Sequence, residues 1–406
     1  MFAFFLPGAR AQHISPLGSK PDWSRLEAFQ ETIARAEFER LLETIYAPHD
    51  AAKEFIGIKA DHAEIVTNGT EAKRFQLRFS KDEISARKPP RFWRPASALP
   101  PPQSANKPLA GLRVALDPGH LGGKWAKVEE RWFRIGDKPP ITEGDMTLRV
   151  AKLLAPKLRA LGAGVLFVRD SSVPTTGMRA DKLRAASILD LRERRINLPP
   201  DAKARERVIE ANAQRLFYRV GEIHGRAKFL NEQLQPDITL CLHFNAEGWG
   251  DPGKPRLTEK NHLHLLVNGC YQADELAFDD VRFEMLLKLL SRCSDEELAV
   301  SDTLAKTMMA ETGLPPYAYT TSNAVRVGES GGVWARNLLA NRLYRCPVIY
   351  IEPYVMNNQS VIDRIHLGDY GGEREIGGLM RRSIFREYAD AVAEGLAAHY
   401  AKARKF

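Results

Sequence analysis

From residue 111 onward, short apolar segments with strand character alternate with longer segments of helical periodicity. The strand-like segments include residues 112–117 (LRVALD), 163–170 (AGVLFVRD), 237–246 (DITLCLHFNA) and 347–354 (PVIYIEPY). Residues 146–162 form a helical pattern between the first two, and an amphipathic helical pattern near 384–400 ends the chain. Such alternation is typical of parallel strands, because they need long crossover connections that cover the sheet. We predict an α/β fold with a mainly parallel, twisted sheet and helices on both faces.

The N-terminal part of the chain has a different pattern. Residues 24–47 place apolar side chains at helical spacing, and short strand-like segments follow up to residue 80. We therefore expect a small α+β unit over residues 1–85, with no recognisable chemistry of its own. Residues 86–108 contain seven prolines and are predicted to form an extended, stiff linker.

Two features of the sequence bear on where the protein works. Residues 1–11 (MFAFFLPGARA) match the tail of a secretory signal, because an apolar stretch precedes the small-x-small sequence Ala9-Arg10-Ala11. The alternative is an ordinary exposed N-terminus. No apolar run approaches the ~20 residues of a membrane-spanning helix, so we expect no transmembrane segment. The net charge of +8 admits anionic partners, but both signs are mixed along the chain and we expect no nucleic-acid partner.

Candidate functional side chains follow the predicted strands. His120, His243 and Glu352 lie at strand ends, and functional groups in such sheets gather at the carboxyl ends of the strands. Thr142 and Asp145 have capping-box spacing, which places Glu143 in the first turn of the next helix. Two imidazoles and one carboxylate are the ligand set of a catalytic zinc site.

Each of these residues also has an ordinary structural interpretation. Either histidine could hydrogen-bond within a loop or the core, and Glu143 could favour a helix N-terminus through the helix dipole. Glu352 in an apolar strand is harder to explain in this way, because a buried carboxylate is costly without a partner or a cation. The coincidence of all four at strand ends and a helix start favours a metal site.

Four blocks of sequence resemble one enzyme family. DPGHLGG, TEGDMTLRVAKLLAPKLRALGAGVLFVRD, LHFNA and RNLLANRLYRCPVIYIEPYVMNN are similar to the zinc-dependent N-acetylmuramoyl-L-alanine amidases of the Amidase_3 type, and they occur in that family's order. The resemblance covers residues 111–400 apart from insertions. It implies an Amidase_3-like catalytic domain over 109–406, with helical insertions near 171–225 and 269–298.

The resemblance also implies the roles of individual residues. His120, Glu143 and His243 would bind Zn²⁺, and Glu352 would be the catalytic glutamate. Arg336 and Asn337 match the family's Arg-Asn pair before the last strand and would support the site. The implied reaction is hydrolysis of the amide between N-acetylmuramic acid and L-alanine in peptidoglycan, by a periplasmic or secreted enzyme. The chain departs from the family around Glu352, where Pro353 and Tyr354 replace a small residue and glycine.

Further residues near the predicted site have two interpretations each. Asp117 and Asn245 are candidates for supporting the metal ligands, although turn formation and strand-end capping explain them equally well. His262 and His264 share one face of a predicted strand and are expected to be exposed, the alternative being an extra metal or substrate contact. Residues 271–300 are rich in carboxylates and are expected to form a solvated helix, the alternative being a helix that covers the zinc.

Two other functions remain open from the sequence alone. The first is a zinc peptidase or deacylase acting on a different amide. The second is a wall-binding protein without turnover, although a binding protein has no need of Glu352. We expect peptidoglycan or muropeptides as the partner in the leading interpretation.

Overall fold

The computed structural model describes residues 13–68, 73–102 and 104–404, so the predicted signal remnant at 1–11 lies outside the described residues. The strands are β1 (Ile56–Ile58), β2 (His62–Val66), β3 (Arg74–Arg78), β4 (Arg113–Pro118), β5 (Trp132–Phe133), β6 (Ile141–Thr142), β7 (Gly164–Phe167), β8 (Ile238–Leu242), β9 (Leu263–Val267), β10 (Val325–Arg326), β11 (Val333–Ala335), β12 (Val348–Pro353), β13 (Glu373–Ile376) and β14 (Leu379–Arg382). The α-helices are α1 (Arg35–Leu41), α2 (Glu143–Ala160), α3 (Arg184–Glu193), α4 (Ala202–Leu216), α5 (Glu222–Phe229), α6 (Ala273–Leu276), α7 (Asp279–Leu290), α8 (Cys293–Thr312), α9 (Leu339–Leu343), α10 (Gln359–His366) and α11 (Ile384–Ala403).

The chain divides into two compact units. The first contains residues 1–90 together with 268–292, and the second contains 91–267 together with 293–406. The segment 268–292 interrupts the sequence of the second unit, as an insertion does, but its contacts group it with the first unit, which we did not expect. A unit assembled from distant segments has no local sequence signature.

The first unit is α+β. Strands β1, β2 and β3 form an antiparallel sheet, and the helical pattern over 24–47 is broken into a 3-10 segment, α1 and a π-helical turn. Helix α7 is joined to this unit by Arg282, which is fully buried, donates to the carbonyl oxygen of Val66 at 2.9 Å and pairs with Asp279 at 2.5 Å. A buried charge of this kind requires its partners, so the later segment is an integral part of the unit.

The second unit contains a seven-stranded sheet in the order β10-β11-β9-β12-β8-β4-β7. The pairs β11–β9, β12–β8, β4–β8 and β4–β7 are parallel, whereas β10–β11 and β12–β9 are antiparallel. Helix α2 follows β4 and ends before β7, with Gly162 at φ +99° closing it as the sequence predicts. The mainly parallel α/β fold is confirmed.

Helices cover both faces of this sheet, and the alternation of side chains along each strand identifies the face that carries the site. Ala115, Cys241 and Tyr350 pack in a core cluster with residues of α5 and α9. Residues two positions further along the same strands share that face, and they are Asp117, His243 and Glu352. Helix α11 packs against both α2 and α8, and α2 and α8 contact the strands.

The proline-rich segment is not a free linker. Residues 91–108 belong to the second unit, where Trp93 is 2% exposed within the core cluster. Arg94 binds the carboxylate of Asp237 through Nη2 at 2.7 Å and through Nε at 3.0 Å. Burial of an indole ring contributes enough apolar area to fix the segment in place despite its prolines.

Other features of the chain agree with the sequence. The four cysteines, Cys241, Cys270, Cys293 and Cys346, are buried free thiols. The segment 171–225 is largely helical and includes α3 and α4. None of the described helices combines the length and the apolar character needed to span a membrane.

A buried histidine in α11 makes stability sensitive to acid. Burial lowers the pKa of His399 to about 4 from 6.5, so between these pH values the unfolded chain binds a proton that the folded chain does not. The free energy of unfolding therefore falls as the pH is lowered, by about 2 kcal/mol between pH 7 and pH 5 through this residue. Urea unfolding at pH 7 and pH 5 measures this fall in the free energy of unfolding. In His399→Gln the fall should be smaller than in the parent chain by about 2 kcal/mol. An equal drop in the variant and the parent chain would contradict the assignment.

Candidate metal centre

His120 lies in the sharp turn that follows β4. Gly119 has no room for a side chain, because a Cβ there would lie 2.2 Å from Cε1 of His243. The amide of Gly119 donates to the carbonyl oxygen of Leu242 at 2.8 Å, which joins the turn to the end of β8. His120 itself has φ +59°, an uncommon conformation for a residue with a side chain. The glycine and this backbone conformation bring the two imidazoles together.

Glu143 is the first residue of α2, as the sequence predicts, and is 3% exposed. The N-cap is Thr142, but its side chain does not cap the helix. Its hydroxyl instead donates to the carboxylate of Asp145 at 2.5 Å, and that carboxylate accepts from the amide of Gly123 at 3.0 Å. Asp145 therefore connects the helix start to the loop after His120 in place of the predicted capping box.

His243 follows β8 directly. Its amide donates to the carbonyl oxygen of Ile351 at 3.0 Å, so the neighbouring strand β12 fixes its backbone. Its ring is stacked on that of Tyr350 with the centroids 5.1 Å apart and an interplanar angle of 22°. Tyr350 was not predicted to support the site, because an aromatic residue in an apolar strand is normally a core residue.

The three side chains converge on one point. The distance from Glu143 Oε2 to His120 Nε2 is 3.2 Å, and that from Glu143 Oε1 to His243 Nδ1 is 3.0 Å. One donor atom from each residue lies within 4.8 Å of the others, and no second cluster of this kind occurs among the residues that the structure describes. Two imidazoles and a carboxylate from three separate elements fit a zinc ion, with its remaining positions open to water or substrate.

The charges at this cluster suit a cation. Burial opposes the ionisation of Glu143, but the adjacent His120 and His243 outweigh it and hold the pKa of Glu143 at about 2. Burial lowers the pKa of His120 to about 3. Burial opposes the charged form of His243, but the hydrogen bond that its ring donates to Glu143 and the negative charge of that carboxylate raise the pKa of His243. Near neutral pH, Glu143 is ionised and His120 is neutral, which are the states in which these groups bind a metal.

Glu352 lines the same cavity without belonging to the ligand cluster. The cavity has a volume of about 360 Å³ and is lined by the three convergent residues, by Glu352 and by Asp117 and Arg131. Burial raises the pKa of Glu352, and the nearby Glu143 charge adds to this effect. A carboxylate with a raised pKa is a stronger base, which suits a group that must accept and return a proton.

Asp117 lines the cavity and is held by two residues that the sequence did not identify. Arg226 Nη1 binds its Oδ1 at 2.8 Å, and the hydroxyl of Tyr344 donates to its Oδ2 at 2.6 Å. Arg226 also donates to the carbonyl oxygen of His120 at 3.0 Å and pairs with Glu222 at 3.0 Å. Arg226 therefore links Asp117 to the backbone of His120, and the supporting role of Asp117 stays a prediction.

Asn245 contacts His264 in β9 and His262 directly before that strand, and both histidines are buried and not exposed as we expected. His262 is 7% exposed and His264 is 3% exposed. The Nδ2 atom of Asn245 lies 3.1 Å from Nδ1 of His262 and 3.4 Å from Nδ1 of His264. The alternation along β9 was misleading, because both faces of the strand are covered: helix α8 contacts β9, and the rings of Tyr317 and Tyr319 pack against His264.

The Arg-Asn pair stands at the edge of the site. Arg336 Nη1 donates to the hydroxyl of Tyr319 at 3.3 Å, and Asn337 Oδ1 accepts from Arg342 at 3.1 Å. Neither side chain lines the cavity, although Leu338 to Ala340 directly after them do.

No family model matches the chain, and no curated protein matches it. Solved structures to which it is similar include the N-acetylmuramyl-L-alanine amidase of Mycobacterium smegmatis, at 16% identity and a TM-score of 0.37 over 72% of this chain and 99% of that one. The CwlD amidase of Clostridioides difficile, solved with the GerS lipoprotein, is 9% identical with a TM-score of 0.39 over 72% and 100% of the two chains. An N-acetylmuramoyl-L-alanine amidase of Nostoc punctiforme is 14% identical with a TM-score of 0.35 over 71% and 96%.

Proposed function

We propose that the protein is a zinc-dependent N-acetylmuramoyl-L-alanine amidase with an Amidase_3-like catalytic domain. The observation that carries the proposal is the convergence of His120, Glu143 and His243 beside Glu352 in one cavity. The four sequence blocks that resemble this family contain all four residues. Its place of action would be the periplasm or the outside of the cell, where peptidoglycan is accessible.

The side chains have separable roles in this reaction. His120, Glu143 and His243 would hold the zinc ion, which when bound polarises the amide carbonyl and acidifies water. Glu352 accepts a proton from the attacking water as its oxygen adds to the amide carbon. The same carboxyl then gives this proton to the leaving nitrogen as the C–N bond breaks.

Arg131, whose Nε lies 3.7 Å from Glu143, adds positive charge to a cavity that would receive the anionic stem peptide.

Digestion of purified peptidoglycan, with and without a chelator, tests the proposal. We expect chelator-sensitive release of peptides that begin with L-alanine, detected by mass spectrometry. Cleavage at another amide would replace the proposal with a zinc peptidase or deacylase. Binding to peptidoglycan without any cleavage would identify a wall-binding protein.

A further inference from the structure

A buried histidine, His264, lies beside Glu352 on the neighbouring strand β9. In the antiparallel pairing of β12 with β9, Glu352 is directly opposite His264. Residues in this relation project from the same face with Cβ atoms about 5 Å apart. The buried His264 is therefore a lateral neighbour of the proposed proton carrier, and its own hydrogen bonds lead away from it to Tyr319 and Asn245.

The hydrogen bonds determine where the proton of His264 lies. Asn245 Oδ1 accepts from the amide of Ala246 at 2.7 Å, so the Nδ2 group of Asn245 is the one that faces the histidines. An amide NH₂ group can only donate, and Nδ1 of His264 must therefore accept. Burial lowers the pKa of His264 to about 3, so the ring is neutral and its single proton is on Nε2.

The same reasoning fixes the direction of the Tyr319 hydroxyl. Its oxygen lies 3.1 Å from His264 Nε2, which carries a proton and donates, and 3.3 Å from Arg336 Nη1, which also donates. With two donors directed at the oxygen, the proton of Tyr319 must point away from both. Burial raises the pKa of Tyr319 to about 12, and the negative charge of Glu352 is the next largest cause. Tyr319 therefore keeps its proton, and the negative charge of Glu352 contributes to the rise of its pKa.

Packing holds this hydroxyl in place. The ring of Tyr319 is edge-on to Trp334 with the centroids 5.3 Å apart, and the indole of Trp334 donates to the carbonyl oxygen of Tyr317 at 3.1 Å. The guanidinium of Arg336 lies 5.5 Å from the centre of the Tyr319 ring. An oriented donor on a rigid support is what a catalytic carboxylate needs to keep one orientation.

We propose that Tyr319 is a positioning residue for Glu352. Its hydroxyl, oriented by His264 and Arg336, donates a hydrogen bond to the Glu352 carboxylate through one bridging water. The bond leaves the other carboxylate oxygen facing the cavity for proton transfer. This inference rests on the proposed amidase function, in which Glu352 carries the proton.

The kinetic test compares Tyr319→Phe with Tyr317→Phe. Tyr319→Phe removes only the oriented hydroxyl. Tyr317→Phe removes the hydroxyl of the neighbouring tyrosine, which has no hydrogen-bond partner among the residues described here and whose backbone carbonyl accepts from Trp334. We expect Tyr319→Phe to lower kcat at least tenfold, up to the ~10²-fold loss typical of a misplaced catalytic group, with KM and zinc content unchanged. Tyr317→Phe should retain the parent kcat. An unchanged kcat in Tyr319→Phe, with the parent chain active, would overturn the inference and leave the amidase function standing.

A second measurement does not depend on activity. Thermal unfolding of the zinc-free chain is compared for Tyr319→Phe, Glu352→Met and the double variant. If the two groups share a hydrogen bond, the Tm loss from Tyr319→Phe is smaller in the Glu352→Met background than in the parent chain. Equal losses in both backgrounds would overturn the inference, even if the parent chain proved not to cleave peptidoglycan.

Discussion

Glu352→Gln should abolish turnover while leaving the metal bound. The substitution keeps the size of the side chain but removes the group that accepts and returns the proton, a contribution of about 10³-fold in kcat. Because Glu352 lies outside the ligand cluster, zinc content and Tm should stay close to those of the parent chain. Steady-state hydrolysis of a muropeptide, with elemental analysis of the same preparation, measures both quantities.

Glu247→Gln is a matched control for this experiment. Glu247 also lies shortly after β8, but its side chain is not part of the cavity lining and pairs with Lys260 at 3.3 Å near the surface. We expect it to retain full activity. A Glu352→Gln enzyme that kept more than a tenth of the parent kcat would show that another group transfers the proton.

Arg226→Met should cause the largest loss of stability among single substitutions at the site. Arg226 is 2% exposed and binds both Asp117 and Glu222, which are themselves buried. Removing the cation leaves two buried carboxylates without their charge partner, at a cost of about 3–5 kcal/mol in the free energy of unfolding. The loss of its bond to the carbonyl oxygen of His120 should also weaken zinc binding.

Chemical denaturation and zinc titration measure these two effects, and Arg219→Met provides the comparison. Arg219 lines the same cavity but is half exposed and contacts Glu130 at 3.5 Å, a surface pair worth less than about 1 kcal/mol. Similar stability losses in the two variants would contradict the structural role of Arg226.

The convergence of the candidate site residues was predictable because each lies near the end of a recognisable strand or at the start of a helix. An apolar strand that ends in a polar residue places that residue at the sheet edge, which applies to His120, His243 and Glu352. Glu143 was predictable because the spacing of Thr142 and Asp145 indicates the start of a helix. By contrast, Arg226 and Glu129 come from charged segments without periodicity. Glu129 nevertheless accepts the amide of Leu121 at 2.8 Å and is 2% exposed, so its role depends on tertiary contacts.

The errors in the fold have physical causes as well. Prolines predicted an extended segment over 86–108, but they do not prevent Trp93 from entering the core. The pattern of β9 suggested one solvated face, although α8 contacts the strand and the rings of Tyr317 and Tyr319 pack against His264. The assignment of 268–292 to the first unit depends on contacts such as that between Arg282 and Val66, far apart in sequence.

The metal content of the purified chain tests the central claim most directly. Elemental analysis after exposure to zinc, followed by removal of unbound metal, should find about one zinc ion per chain. His243→Ala should lose it, while His399→Gln, a histidine substitution away from the site, should retain it. Equal zinc in His243→Ala and the parent chain, or chelator-resistant cleavage by a zinc-free parent chain, would contradict the metal centre of His120, Glu143 and His243.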